Sequence, residues 1–278
     1  MIVNLFDNAF RHLPISVHGK SSRCIEYVRD RVEWDGVTLF TDSYVSTPAA
    51  SMVKCPVKIG WILECRSLIP EVYNSIGKFI DQYNFVLTHD PELLEKYPTK
   101  TRKSIFGGCW VEEDAYSVYP KTKNLSMVYS DKTFMSGHKL RHDIVNLGID
   151  GLDLFGRGSR NPIKRKEQAL TEYRYSLAIE NCSQNNYFTE KILDCFSTGT
   201  IPVYYGCPNI KDYFDSEGII TFSSKEEFLS LLPTLTEDTY IQKMESVNNN
   251  FLKFKDYAVT EDWLYYNVLN EYENDKIS

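Results

Sequence analysis

The chain has 278 residues, 42% of them hydrophobic and 25% charged, with a formal net charge of −7. That content buries a core of the size two ordinary domains need and excludes a disordered chain. The acidic balance argues against nucleic acid or an anionic membrane as partner for the whole surface, and no apolar run is long enough to form an integral membrane segment.

Residues 3–6 read as a first strand, and residues 22–31 as a helix with Ile25 and Val28 inward. Residues 36–42 give a stronger strand ending at Asp42, and residues 58–64 a third ending at Glu64. A helix is expected over 69–82, with Val72, Ile76 and Phe79 in register, and a fourth strand over 83–89 ending at His89. Strands alternating with helices predict a Rossmann-like parallel sheet. No Gly-x-Gly-x-x-Gly follows these strands, so a dinucleotide cofactor is not indicated. A carboxylate at a strand end, such as Glu64, suits a general base, because partial burial raises its proton affinity towards working pH. The alternative for Glu64 is a surface carboxylate paired with Arg66. His89 could act as a base or an acceptor contact, though an isolated histidine is more often structural.

Residues 119–123, Tyr-Pro-Lys-Thr-Lys, form a candidate linker, which divides the chain into 1–120 and 121–278. A strand over 125–130 opens the second part. A helix follows over 137–147 with Leu140, Ile144 and Val145 inward, then a strand over 153–158 ending in glycines. Gly156 and Gly158 permit close backbone approach to a ligand. Residues 175–179 are an apolar strand closed by Glu180 and Asn181. Thr189 is a helix N-cap, with Ile192, Leu193 and Phe196 on one face of the helix, Gly199 as its stop, and a strand over 200–205. This is a βαβ unit. A short strand over 218–222 follows, then a capping box Ser224-x-x-Glu227 and helical stretches over 237–253 and 261–272.

The polar residues of the βαβ unit gather where parallel sheets bind ligands. Glu180 and Asn181 lie past a strand's carboxyl end, and Tyr187, Glu190 and Lys191 open the next helix. A helix N-terminus with a lysine beside it favours phosphate, and a nearby carboxylate suits sugar or ribose hydroxyls. A nucleotide diphospho-sugar needs both. The same residues also suit a buried βαβ unit with a capped helix and a solvated charge pair.

The string Glu-Asn at 180–181, Tyr-x-Thr-Glu-Lys at 187–191, a short helix, then Ile-Pro-Val-x-x-Gly at 201–206 resembles the signature of the α-1,3/4-fucosyltransferases, glycosyltransferase family 10. Cys182 stands where the family usually has Ser, and Asn186 where it often has Asp. The resemblance extends over about residues 58–222. It implies a GT-B type α/β fold, two Rossmann-like domains facing across a cleft, with the last helix packing back on the first. It further implies inverting transfer of L-fucose from GDP-fucose to a hydroxyl of an acceptor glycan, with Glu64 as the base. Arg141 matches the family's contact to the donor diphosphate; by its own helix it could instead be an exposed residue beside Lys139 and His142. Lys191 would join Arg141 on the departing GDP. Tyr187 and Glu190 would hold the nucleotide, and Glu180 and Asn181 would touch the sugar or shape the pocket floor. No Asp-x-Asp occurs, so neither a metal nor another cofactor is expected to be required. A GT-B enzyme using another nucleotide sugar and a non-catalytic glycan- or nucleotide-binding protein are the alternatives.

Animal and plant members of that family are membrane-anchored Golgi proteins. The opening residues here lack a signal-peptide pattern, and the seven cysteines are scattered with no Cys-x-x-Cys pair. The expectation is therefore a soluble, cytoplasmic protein of bacterial or viral type with reduced thiols.

Overall fold

The computed structural model describes residues 1–273. The chain forms two compact units. The first comprises Met1–Phe106, the short segment Asn185–Tyr187 and the residues from Val259 onward; the second comprises Gly107–Gln184 and Phe188–Ala258.

The first unit holds six strands: β1 (Ile2–Phe6), β2 (Glu26–Arg29), β3 (Val37–Thr41), β4 (Val57–Trp61), β5 (Phe85–Thr88) and β6 (Thr101–Lys103). They form one sheet in the order β2-β1-β3-β4-β5-β6, with every neighbouring pair parallel. Between them run the short helices α1 (Ala49–Met52), α2 (Pro70–Ser75) and α3 (Pro91–Lys96). Successive residues of a strand face opposite sides. Phe40 and Val86 accordingly pack with Ala50, Val72, Tyr73 and Ile76 from α1, α2 and the turn after it. Leu39, Ile59, Trp61 and Leu87 pack on the other side with Leu264 and Leu269 from the C-terminal segment.

Two expectations fail here. Residues 22–31 are not a helix. Ser22 Oγ accepts from the N–H groups of Cys24 and Ile25 and fixes a turn, after which Glu26–Arg29 pairs in parallel with β1. The β-branched and aromatic side chains of Ile25, Tyr27 and Val28 suit that edge, and Asp30, at φ 59°, turns the chain out of it. The helix expected over 69–82 ends at Ser75 and continues as two 3₁₀ turns, Ile76–Lys78 and Ile80–Gln82. Gly77, a poor helix former, sits at the break.

The second unit contains β7 (Lys123–Val128), α4 (Ser136–Val145), β8 (Leu152–Phe155), β9 (Tyr173–Ile179), α5 (Glu190–Ser197), β10 (Ile201–Tyr205), β11 (Ile220–Thr221), α6 (Lys225–Leu231), α7 (Glu237–Gln242) and α8 (Met244–Lys253). Its sheet is parallel throughout, in the order β11-β10-β9-β7-β8. All seven residues of β9 are buried, as a central parallel strand requires. Gly199, at φ 69°, ends α5. The stretch expected as one helix over 237–253 breaks at Lys243 into α7 and α8. The 119–123 stretch packs into this unit: Lys121 Nζ donates to the carbonyls of Leu170, Thr171 and Thr198 and to Thr200 Oγ1 at 2.8–3.1 Å. Strand order reverses between β7 and β9, which makes the carboxyl ends of those two strands a topological switch point. Among the described residues, no helix is long and apolar enough to cross a membrane.

Candidate active site

At the switch point of the second unit, α4 begins against the residues that leave β9. Gly137 N–H donates to the Asn181 carbonyl at 3.0 Å. A Cβ on Gly137 would lie 1.7 Å from the Glu180 carbonyl oxygen, so only glycine allows this approach. One turn further along α4 is Arg141, which is buried, not on an exposed helix face. Its Nε and Nη2 both reach the Ile179 carbonyl, and Nη2 also donates to Asn181 Oδ1 at 3.2 Å. His138, on the same helix, accepts the Met135 N–H at Nδ1. Burial pushes its imidazole down to about 4, helped by the charges of Arg141, Lys132 and Lys191, so it is neutral at physiological pH.

Glu180 is fully buried, and its carboxylate is held by polar groups. Its carboxylate accepts from the Thr189 N–H at 2.8 Å and the Thr189 hydroxyl at 2.7 Å, and Lys191 Nζ lies 3.3 Å away. Thr189 does hold the N-cap position of α5, but its hydroxyl donates to Glu180 and caps no backbone group of the helix. A strand-end carboxylate thus does the capping. Lys191 Nζ also bonds Thr189 Oγ1 at 2.9 Å and Glu190 Oε1 at 3.0 Å. Burial works against the charge on Lys191, but Glu190 and Glu180 outweigh it and hold the ammonium above the ordinary lysine range. Burial likewise opposes the charge on Glu190, yet Lys191 and Lys166 bring that carboxyl down to about 2. Glu190 and Lys191 are thus fixed charges that stay ionised at neutral pH, at the edge where parallel sheets receive ligands.

In the first unit, three neighbouring strands end in polar residues. Asp42 follows β3, Glu64 lies three residues past β4, and His89 follows β5. Asp42 is buried, with a left-handed φ of 40°. Its Oδ1 accepts the N–H of Leu63 at 2.8 Å and of Glu64 at 3.2 Å. Half-buried Glu64 accepts at Oε2 from the Tyr187 hydroxyl at 3.2 Å, and its carbonyl accepts from the Tyr73 hydroxyl at 2.7 Å. Arg66 is paired with Asp90 and Glu92, not with Glu64. The His89 ring lies 4.9 Å from that of Tyr187, and its backbone carbonyl accepts from Asn186. Burial pushes His89 down to about 4 despite the Asp90 carboxylate. The hydroxyl of Tyr187, expected on a nucleotide, thus points to Glu64. Sequence reading passed over Asp42, His138 and Gly137. For Asp42 the signal was present, an acidic residue closing a strand as Glu64 does; for Gly137 and His138 nothing in their neighbours marked the close approach.

Two parallel α/β sheets, each with its strand order reversing partway, define a GT-B type glycosyltransferase fold. A crystal structure of an alpha1,3-fucosyltransferase with GDP shares it, with a TM-score of 0.55 at 14% identity, over 92% of this chain and 89% of that one. The profile of Glycosyltransferase family 10 (fucosyltransferase) C-term matches residues 118–267, more than half of the chain, and the protein belongs to that family. Alpha-(1,3)-fucosyltransferase B of Drosophila melanogaster is 46% identical over 207 residues, 66% of this chain and 46% of that protein. Alpha-(1,3)-fucosyltransferase FucT of Helicobacter pylori is 29% identical over 108 residues, 39% of this chain and 20% of that protein. The chain thus spans less than half the length of these relatives.

Proposed function

We propose that the protein is an inverting glycosyltransferase moving L-fucose from GDP-fucose to a hydroxyl of an acceptor glycan, as an alpha-1,3-fucosyltransferase does. The observation that carries this reading is the switch-point cluster of the second unit, where Arg141 is held beside Asn181 and Lys191 beside Glu180 in a chain of a fucosyltransferase family. In this reading the second unit takes the donor, and the first supplies the base and the acceptor side. Glu64 removes the acceptor hydroxyl proton while the oxygen bonds to the anomeric carbon and the bond to the diphosphate breaks. Arg141 and Lys191 stabilise the departing GDP as preorganised charge. Glu190 is assigned to nucleotide hydroxyls, and Glu180 and Asn181 to the pocket floor. Tyr187 orients Glu64; its alternative role is a nucleotide contact.

We further propose that no metal is required, the two cations doing that work, so that EDTA leaves transfer unchanged. A reducing, cytoplasmic setting and a soluble protein of bacterial or viral type complete the proposal; the seven cysteines are present as thiols, none in a disulfide among the described residues, which supports the reducing setting.

The deciding experiment is calorimetric titration with GDP, GDP-fucose, UDP and ADP, followed by assay of GDP release from GDP-fucose with wild type and Glu64→Gln. The expected result is preference for GDP, turnover of GDP-fucose, and a loss of at least a hundredfold in the variant. Turnover of UDP-sugars but not of GDP-fucose would reject the donor. Binding of GDP with no turnover of any sugar nucleotide would leave a non-catalytic nucleotide-binding protein.

A further inference from the structure

Asp42 has three properties that a purely structural residue at a strand end does not need together. It adopts φ 40°, a left-handed conformation that non-glycine side chains rarely accept. One of its oxygens, Oδ1, takes both the Leu63 and the Glu64 N–H groups, so the backbone that carries Glu64 hangs on it. The other, Oδ2, is buried with no hydrogen-bond partner. A bare carboxylate oxygen in that position carries a large desolvation cost, which a proton on it lowers by cancelling the charge.

We propose that Asp42 is a positioning residue for Glu64, acting as a neutral carboxylic acid that clamps the turn bearing the base. This rests on the reading of Glu64 as base. Supporting it, burial pushes the Asp42 carboxyl up to about 7, and the neighbouring Glu64 carboxylate pushes the same way, against the two backbone N–H bonds. Among the charged and titratable groups facing Asp42 are Glu64 beyond β4, Asp7 beyond β1, which itself lies 3.4 Å from the Arg29 guanidinium, and Tyr73 on α2, whose ring carries the Arg66 guanidinium on its face. Two of these are acids and the third is a phenol whose own burial keeps it protonated, so none of the three favours the ionised form of Asp42. Ionisation of Asp42 would place a second anion beside Glu64, and the repulsion between the two disfavours the ionised Glu64 that must act as base, even though the two N–H bonds themselves favour the charged Asp42.

The test measures GDP release from GDP-fucose, with water as acceptor, for wild type, Glu64→Gln, Asp42→Ala and Asp42→Asn across pH 5–9, with GDP affinity by calorimetry as the check on folding. Asparagine keeps the Oδ1 acceptor and replaces the protonated oxygen with an amide that cannot ionise. The expected result is a fall in kcat of about tenfold or more in Asp42→Ala with KM changed less than twofold, and recovery of most of it in Asp42→Asn. Wild-type kcat is expected to decline as pH rises through about 7, and the Asp42→Asn profile to lack that limb. Activity lost in Glu64→Gln but unchanged in Asp42→Ala would overturn this inference alone, as would a pH profile of Asp42→Asn superimposable on wild type. Activity unchanged in Glu64→Gln would remove the base assignment and this inference with it.

Discussion

The Tyr187 hydroxyl donates to Oε2 of Glu64 at 3.2 Å, which joins the last residue of the short segment Asn185–Tyr187 to the strand-end carboxylate. Tyr187 is itself buried and its ring packs, tilted by 41°, against that of neutral His89, so its hydroxyl is held in place. A fixed donor aimed at a carboxylate sets the direction of its lone pairs, and a base must be aimed before it can work. Tyr187→Phe is expected to lower kcat about tenfold while changing KM for GDP-fucose less than twofold. A raised KM with unchanged kcat would return Tyr187 to the nucleotide. Steady-state kinetics of the one variant separates the two.

Gly137→Ala tests the close approach that forms the switch-point cluster. The added methyl would meet the Glu180 carbonyl oxygen at 1.7 Å, a backbone atom that cannot rotate away. Either α4 retreats or the residues after β9 shift, and both carry groups of the cluster, Arg141 and Asn181. Overpacking of this kind costs about 1–3 kcal/mol, or roughly 3–10 °C in Tm for a chain of this size. GDP affinity should fall along with Tm. A variant as stable as wild type with full GDP affinity would show that the approach is not required.

The way these sites were and were not readable follows from what each depends on. The βαβ unit around β9 and α5 was legible because a buried parallel strand and a capped helix both write themselves into local pattern: a continuous apolar run, then Thr189 before an apolar face, then Gly199. The place of Glu64 just beyond a strand end was legible by the same logic, although the strand expected to run to it stops at Trp61. The 22–31 stretch was not, because Ile25 and Val28 are three apart and fit a helical face as well as an edge strand; pairing with β1 decided it. Nor was the burial of Arg141, which depends on a carbonyl thirty-eight residues away, at Ile179. The assignment of Tyr187 to Glu64, across 123 positions of chain, is likewise a tertiary fact.

Glu190 gives a pH prediction with a definite sign. Its folded-state carboxyl lies at about 2, below the ordinary carboxylate range, because Lys191 and Lys166 favour the charged form more than burial opposes it. The unfolded chain therefore binds the proton first as pH falls. The stabilisation is fully present above about pH 4.5 and is lost as pH falls towards 2; by linkage it is on the order of 2–3 kcal/mol. Urea melts of wild type and Glu190→Gln should differ most near pH 6 and converge as pH falls to about 2 and below. A difference that stays constant over that range would mean that the carboxylate charge contributes nothing to folding.

Lys121 predicts the opposite limb. Its ammonium is buried among three carbonyls and the Thr200 hydroxyl, with no carboxylate among those partners. Burial pushes it down to about 7, with the thiol of Cys195 opposing only weakly. For a lysine the neutral form is then favoured in the folded state, so between about pH 7 and 10.5 the unfolded chain holds more protons and stability rises with pH. Lys121→Met removes that slope. It also strands the Thr171 and Leu170 carbonyls that the ammonium bridges, which costs about 1–3 kcal/mol for each acceptor left without a partner; Leu170 keeps a bond from Thr200, so the lower end applies there. Chemical denaturation at pH 7 and pH 9 should show wild type gaining stability over that interval and the methionine variant gaining less. Equal gains in both proteins would mean that Lys121 keeps its proton when folded, the carbonyl dipoles around it outweighing the burial.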